Sequence, residues 1–184
     1  MKKNKILKIV GSLRQGSYNK KLAIYAKEIM KNEVDFEILN YDEVPFFNQD
    51  KEYPTPEAVR VVREKVKAAD GIWFFTPEYN HFFPGVLKNL IDWLSRPEEG
   101  TKSRVLSRKP VAISGATPGM SGTGIAQDHL VTLLSLLNMD IMNVPRLTIP
   151  NVGNQLDAND ELLLNESESY LSKQADAFIK YISE

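Results

Sequence analysis

The chain has 184 residues, of which 42% are hydrophobic and 26% are charged, a composition ordinary for one globular domain spanning residues 1–184. A net charge of −1 at pH 7 with no basic stripe excludes a typical nucleic-acid partner. The chain also lacks the strong acidity of a carrier that docks electrostatically on basic partners. Because the sequence contains no cysteine, disulfides, thiolate nucleophiles and sulfur-ligated metals are excluded.

The N-terminal residues 1–10 resemble a signal peptide, because lysines precede an apolar run. That run is short and Lys8 interrupts it, so a first β-strand is the better interpretation. No window approaches the roughly 18 apolar residues of a membrane span. We therefore expect no membrane partner and a cytoplasmic location.

Strand and helix patterns alternate along the chain. The sequence predicts strands at 6–10, 34–39, 71–76 and 111–114, with a fifth strand within 141–149. It predicts helices at 19–30, 56–68, 84–94, 125–137 and 160–182. A repeated βα pattern with right-handed crossovers implies a parallel sheet covered on both faces. The predicted fold is α/β, a flavodoxin-like three-layer sandwich with a five-stranded parallel sheet of order 2-1-3-4-5.

In such a sheet, ligands bind beyond the carboxyl ends of the strands, at the switch point between strands 1 and 3. The loop after strand 1, residues 11–19, runs from an apolar strand directly into a helix. Free backbone N–H groups and the helix dipole suit a phosphate there. Ser12, Ser17 and Asn19 add neutral donors, and Arg14 adds a charged one. The alternative is a polar turn that only caps the helix.

Two stronger phosphate motifs do not fit this loop. Gly11 and Gly16 have the spacing of a Walker A motif, but Ser17 and Tyr18 stand where its Lys and its hydroxyl should be. Leu13 occupies the second glycine of the dinucleotide fingerprint. What remains suits a terminal monophosphate held without a metal.

Two further loops lie where the topology places a ligand. The loop at 76–85 holds an aromatic and polar segment between two prolines, which suits a flat heterocycle. The loop at 114–124 is rich in glycine, which lets a ligand approach the backbone closely. Each loop alone fits a purely structural turn equally well, but three suitable loops at the three required positions favour a binding site.

The segment Gly-Ser-Leu-Arg-Gln-Gly-Ser-Tyr-Asn at 11–19, with Pro-Glu-Tyr-Asn at 77–80, resembles the NADPH-dependent FMN reductase family, which includes quinone, azo-dye and chromate reductases. The resemblance extends from residue 6 to about 144 and leaves the role of 119–124 open. It implies that the FMN phosphate is held by Ser12, Arg14, Ser17, Tyr18 and Asn19. It implies that the isoalloxazine is lined by Pro77, Glu78, Tyr79 and Asn80, with Ser114 and Gly115 near its other edge.

The resemblance also implies an enzyme in which electrons pass from NADPH or NADH through bound FMN to a quinone, an azo compound or free flavin. The alternatives are a non-catalytic flavodoxin-type electron carrier, which would favour a more acidic chain, and a nucleotide-binding regulatory domain without flavin. Members of the family are commonly dimers or tetramers. A homodimer or homotetramer is therefore expected, with residues 82–93 near the interface.

The remaining candidate residues are few. His81 and His129 lack partners at metal-ligand spacing, so no metal site is expected. His81 is a possible substrate contact or a solvated loop residue, and His129 is expected to be structural. Trp93 lies off the apolar stripe of its predicted helix and is expected at an interface or partly buried at the surface. No side chain is expected to act as an indispensable acid or base.

Overall fold

The computed structural model describes residues 3–30 and 33–184. Its strands are β1 Lys5–Val10, β2 Asp35–Ile38, β3 Gly71–Phe75, β4 Pro110–Ala116, β5 Asp140–Ile141 and β6 Leu147–Ile149. Its helices are α1 Tyr18–Ile29, α2 Glu57–Ala68, α3 Gly85–Ser95, α4 Gly124–Leu136 and α5 Glu168–Tyr181. The strands pair in parallel in the order β2-β1-β3-β4-β5, which confirms the flavodoxin-like topology.

The fifth position of the sheet is filled by two short strands instead of one. The strand β5 pairs with the beginning of β4, and β6 pairs with its end. Pro145 lies between them and has no backbone N–H to contribute to a ladder. The chain therefore leaves the sheet and rejoins it within the predicted segment 141–149.

The first four helices begin and end within one residue of their predicted bounds, but the last helix begins eight residues later than residue 160. Asp157 explains the difference, because its Oδ1 accepts hydrogen bonds from the N–H groups of Asn159 and Glu161, both at 2.8 Å. An aspartate that bonds its neighbouring backbone in this way holds a turn in place of a helix.

Apolar layers cover both faces of the sheet. The buried strand β3 shows the alternation: Ile72 packs with α2, α3 and α4, whereas Trp73 packs on the opposite face with α1 and α5. Both side chains are completely buried. Among the described residues, no helix combines the length and the apolar character that crossing a bilayer requires.

Trp93 lies inside the molecule, so its predicted place at an interface or at the surface is wrong. Its ring is fully buried and meets the ring of Phe47 edge-on, with centroids 4.9 Å apart. Its Nε1 donates to the carbonyl oxygen of Pro45 at 2.7 Å. An irregular segment of the same chain therefore packs on this side of the helix. The spacing of apolar residues within a helix does not show that another segment will pack there. Of the neighbouring aromatics, Phe83 is buried and Phe82 is 43% exposed.

The central strand β1 carries a lysine in the interior. Lys8 is fully buried, its Nζ donates to the carbonyl oxygen of Ala23, and it lies 3.9 Å from the centroid of the Phe36 ring. Burial, assisted by the nearby charge of Lys27, lowers the pKa of Lys8 from 10.5 to about 7. The folded state therefore binds this proton more weakly than the unfolded chain does.

Replacing Lys8 with Met should change how stability depends on pH. In the wild-type chain the Lys8 contribution to the free energy of unfolding rises as pH increases from about 7 to 10.5, with a limiting slope of about 1.4 kcal/mol per unit. The Met variant should lose this slope and be more stable than wild type below pH 7. Urea titrations across this range measure the difference, with the exposed Lys180→Met variant as the control. If the stability of wild type and of Lys8→Met changed with pH in parallel, the lowered pKa of Lys8 would be contradicted.

Candidate active site

The loop at 11–19 is anchored at both ends. The N–H of Gly11 donates to the carbonyl oxygen of Phe75 at 2.8 Å. At the other end Ser17 is the N-cap of α1, and its Oγ accepts from the N–H of Lys20 at 3.3 Å. Within the described part of the chain, the N–H groups of Gln15 and Gly16 have no hydrogen-bond partner. The loop therefore presents free backbone donors at the start of a helix.

Arg14 folds back over this loop. Its guanidinium carbon lies 5.3 Å from the centroid of the Tyr18 ring. Its Nη1 approaches Gly16 so closely that a Cβ on Gly16 would lie only 3.1 Å away. Three other arginines form ion pairs with carboxylates, but across residues 3–30 and 33–184 Arg14 forms none. Its positive charge is available to an anion bound on the loop.

Asn19 connects the loop to the end of β4. Its Nδ2 donates to the carbonyl oxygen of Ala116, and its Oδ1 accepts from the N–H of Ala116, both at 2.9 Å. The side chain is 2% exposed. The pair uses the carbonyl oxygen and one of the two N–H groups of the Asn19 amide, so the side chain positions the loop against β4.

A tight turn follows β3. Tyr79 and Phe82 exchange backbone hydrogen bonds of 2.8 and 3.0 Å around a two-residue loop. The loop residues Asn80 and His81 have positive φ values of 52° and 60°, which Asn adopts more readily than most residues. Outside the loop, the ring of Phe82 packs on the ring of His129 with centroids 4.5 Å apart. The turn is thereby fixed against α4.

Glu78 forms a second connection to α4. Its Oε2 accepts from the N–H of Ala126 at 3.0 Å, in the first turn of a helix whose N-cap, Thr123, supplies no side-chain cap. Its Oε1 lies 3.4 Å from Nδ1 of His81. Burial alone would raise the pKa of the Glu78 carboxyl, but hydrogen bonds from Ala126, Ser121 and His81 outweigh it and hold the pKa below its usual value. Glu78 is therefore an anionic helix cap at neutral pH.

The third loop at this edge of the sheet, after the loops that follow β1 and β3, begins later than the sequence predicts, because β4 continues to Ala116. Ser114 is completely buried, and its hydroxyl accepts from Nε1 of Trp73 at 2.8 Å and donates to Oε1 of Gln174 at 2.6 Å. Gly115 is also buried within the strand. The geometry takes these two residues out of the cleft.

Together the three loops enclose a cavity of about 340 Å³. Its lining residues are Ser12, Arg14, Ser17, Tyr18, Asn19, Pro77, Glu78, Tyr79, Ala116, Thr117 and Pro118. All the predicted site residues are among them except Asn80, Ser114 and Gly115. The sequence interpretation missed residues 116–118. The sequence feature that could have identified them is the Thr-Pro pair at 117–118, which matches Thr76-Pro77 at the end of the neighbouring strand.

The cavity is lined by residues of two chemically different kinds. The loop at 11–19 contributes backbone donors, hydroxyls and Arg14, as a monophosphate requires. The other two loops contribute two proline rings and a methyl side chain, which suit a flat ring system. The one carboxylate among its lining residues, Glu78, is occupied by α4. The residues present therefore fit an aromatic group that carries a phosphate.

Comparison with known proteins agrees with this chemistry. The model of the NADPH-dependent FMN reductase family matches residues 4–154. The chain belongs to this family. It is 35% identical over 178 residues to a 2-hydroxy-1,4-benzoquinone reductase of Burkholderia sp., covering 97% of this chain and 96% of that protein. It is 39% identical over 174 residues to an NAD(P)H-dependent FMN reductase of Pseudomonas aeruginosa, covering 94% and 92%.

A solved structure gives the same result. The flavoenzyme NAD(P)H:acceptor oxidoreductase FerB of Paracoccus denitrificans superposes with a TM-score of 0.88 at 29% identity, over 98% of this chain and 97% of that one. The predicted family, oxidoreductase activity, FMN cofactor and NAD(P)H donor are confirmed.

Replacing Gly115 with Ala should destabilise the FMN reductase. A Cβ at Gly115 would lie 2.1 Å from Oγ1 of Thr123 and 2.4 Å from the carbonyl oxygen of Thr76, so β4 or α4 must shift, at a cost of roughly 1–3 kcal/mol or more. At Gly85 a Cβ meets nothing within 4 Å, so Gly85→Ala should leave stability unchanged or slightly raised. Chemical denaturation measures both variants. Equal stability of the two would show that β4 is not packed this closely.

Proposed function

We propose that this FMN reductase transfers electrons from NAD(P)H to small quinones through an FMN bound in the 340 Å³ cavity. The phosphate would be held by the loop at 11–19, and the ring would lie between residues 77–79 and 116–118. The observation that carries the proposal is that anion donors and apolar walls line the same cavity. Residues 1–184 would act as a single domain.

The phosphate end is assigned on its set of donors. Ser12 is half-buried beside Arg14, and its Oγ accepts weakly from the N–H of Arg14 at 3.4 Å. With the free N–H groups of Gln15 and Gly16 and the dipole of α1, this set supplies positive charge and several donors to the oxygens of a monophosphate. Tyr18 would support the guanidinium through its ring.

The ring end is assigned on shape and rigidity. Thr76 donates from its Oγ1 to the carbonyl oxygen of Pro77 at 2.9 Å, which fixes the backbone where β3 ends. Tyr79 remains 53% exposed at the rim, where its ring is free to cover a bound ligand. Bound FMN supplies the redox chemistry, while the protein supplies position and electrostatics. Since Glu78 is held as a helix cap, the chain positions the reactants and donates no proton from this carboxyl.

The choice of a quinone as acceptor rests on two points. The apolar walls that suit a flavin also suit another flat conjugated ring. The Burkholderia relative is named as a reductase of 2-hydroxy-1,4-benzoquinone. A quinone panel in a steady-state assay tests the choice, and activity restricted to azo compounds or free flavin would contradict it.

The protein would form a homodimer or homotetramer and would be located in the cytoplasm. Phe82 is 43% exposed beside the half-exposed Tyr79, and a second copy of the chain would cover both rings. Light scattering at micromolar concentration should therefore give a multiple of 20.9 kDa. A monomer mass would contradict this part. Fractionation of cells tests the location.

Replacing Arg14 with Ala should weaken FMN binding roughly ten- to a hundredfold, because one charge-assisted hydrogen bond is lost. Riboflavin has no phosphate, so its weaker binding should be unaffected by the same change. The control is Lys27→Ala, which removes an exposed positive charge at the far end of α1. Fluorescence titration of the flavin measures all three proteins. Equal affinities of wild type for FMN and riboflavin, or unchanged FMN affinity in Arg14→Ala, would contradict the phosphate assignment.

A further inference from the structure

A second cavity lies on the other side of the loop at 11–19, at the carboxyl ends of β1 and β2. Its volume is about 490 Å³, larger than that of the proposed FMN cavity. Ser12 lines both cavities, so the loop alone separates them. Nothing in the proposed function so far uses this space.

The floor of this second cavity is apolar and rigid. Val10, the last residue of β1, and Leu39, the first residue after β2, form it together with Leu13. Leu13 is 48% exposed at the tip of the loop, where its side chain faces solvent instead of the core. Tyr41 is buried and donates from its hydroxyl to the carbonyl oxygen of Val10 at 2.5 Å. Such a surface suits one face of a flat base.

The rim of the cavity is polar, with cationic and anionic sides. Gln15 and Lys20 line it on the side of α1. Asn40 and Asp42 line it on the side of β2, where Oδ1 of Asn40 accepts from the N–H of Asp42 at 3.3 Å. Both members of this pair are exposed, and within the described residues neither Lys20 nor Asp42 forms an ion pair. Their charges are available to a ligand.

We infer that this cavity binds the adenosine half of the nicotinamide donor, an inference that rests on the proposed function. The base would lie on Leu13, the pyrophosphate near Lys20, and the ribose hydroxyls would donate to Asp42. An ionised carboxylate is purely an acceptor, so it suits the two hydroxyl donors of a ribose diol. Asp42 lies four residues beyond the end of β2 at Ile38. Since Ser12 lines both cavities, they are neighbours, and one dinucleotide would extend from the second cavity towards the first.

The inference carries a prediction about the choice of donor. A carboxylate accepts hydrogen bonds from a neutral 2′-hydroxyl but repels the 2′-phosphate of NADPH. The wild-type enzyme should therefore prefer NADH. Removing the charge of Asp42 should reduce this preference, while the ammonium of Lys20 attracts the pyrophosphate of both donors equally.

The test is calorimetric titration of the FMN-loaded protein with ADP-ribose and with its 2′-phosphorylated form, neither of which can be oxidised by the flavin. Wild type should bind ADP-ribose more tightly by roughly three- to tenfold at low ionic strength. Asp42→Asn should bind the two probes with nearly equal affinity. Glu43→Gln is the matched control, since this neighbouring exposed carboxylate does not line the second cavity and should leave the ratio unchanged.

Each outcome separates this inference from the proposed function. An unchanged ratio in Asp42→Asn, or no binding of ADP-ribose while NADH still bleaches the bound flavin, would overturn the adenosine site and leave the FMN assignment standing. Failure of the wild-type protein to bind FMN would overturn both. A matching loss of the NADH preference in kcat/KM would support the inference.

Discussion

Two hydrogen bonds between the amide of Asn19 and the backbone of Ala116 join parts of the chain that are 97 residues apart. They fix the loop at 11–19 against the end of β4 and so set the width of the cleft between them. The bonds are buried, and leaving their partners unsatisfied would cost about 1–3 kcal/mol for each group. A neutral amide performs this task without placing a charge that would compete with a phosphate for the loop donors.

The charged side chains of the cleft also leave the donors of the loop at 11–19 free for a phosphate. Arg14 supplies a positive charge on the loop at 11–19, whereas the negative charge of Glu78 is stabilised by the N-terminus of α4. Glu78 therefore stiffens the wall that the turn at 79–82 forms. The second cavity, beyond the loop, has an unpaired carboxylate at Asp42 instead. A ligand with phosphates in its middle and a diol at one end suits this order of charges.

Much of this arrangement could be predicted from the sequence, because its determinants are local. The loop at 11–19 follows an apolar strand and ends in a serine cap, and the alternation of strands and helices fixes which loops meet at one edge of the sheet. The end of β4 could not be predicted in this way. Its last residues become strand because they pair with β6, where Ser114 lies opposite Leu147. Ser114 and Gly115 consequently lie in the core, and residues 116–118 line the cavity instead of them. Trp93 was misplaced for a similar reason, because its cover is an irregular segment.

The most direct test of this account is a crystal structure of the protein with FMN bound, resolved well enough to orient side-chain amides. The account predicts that the phosphate contacts the loop at 11–19 and Arg14, while the amide of Asn19 keeps both of its bonds to Ala116. A phosphate bound elsewhere, or an Asn19 amide that leaves Ala116 to bind the phosphate itself, would contradict it.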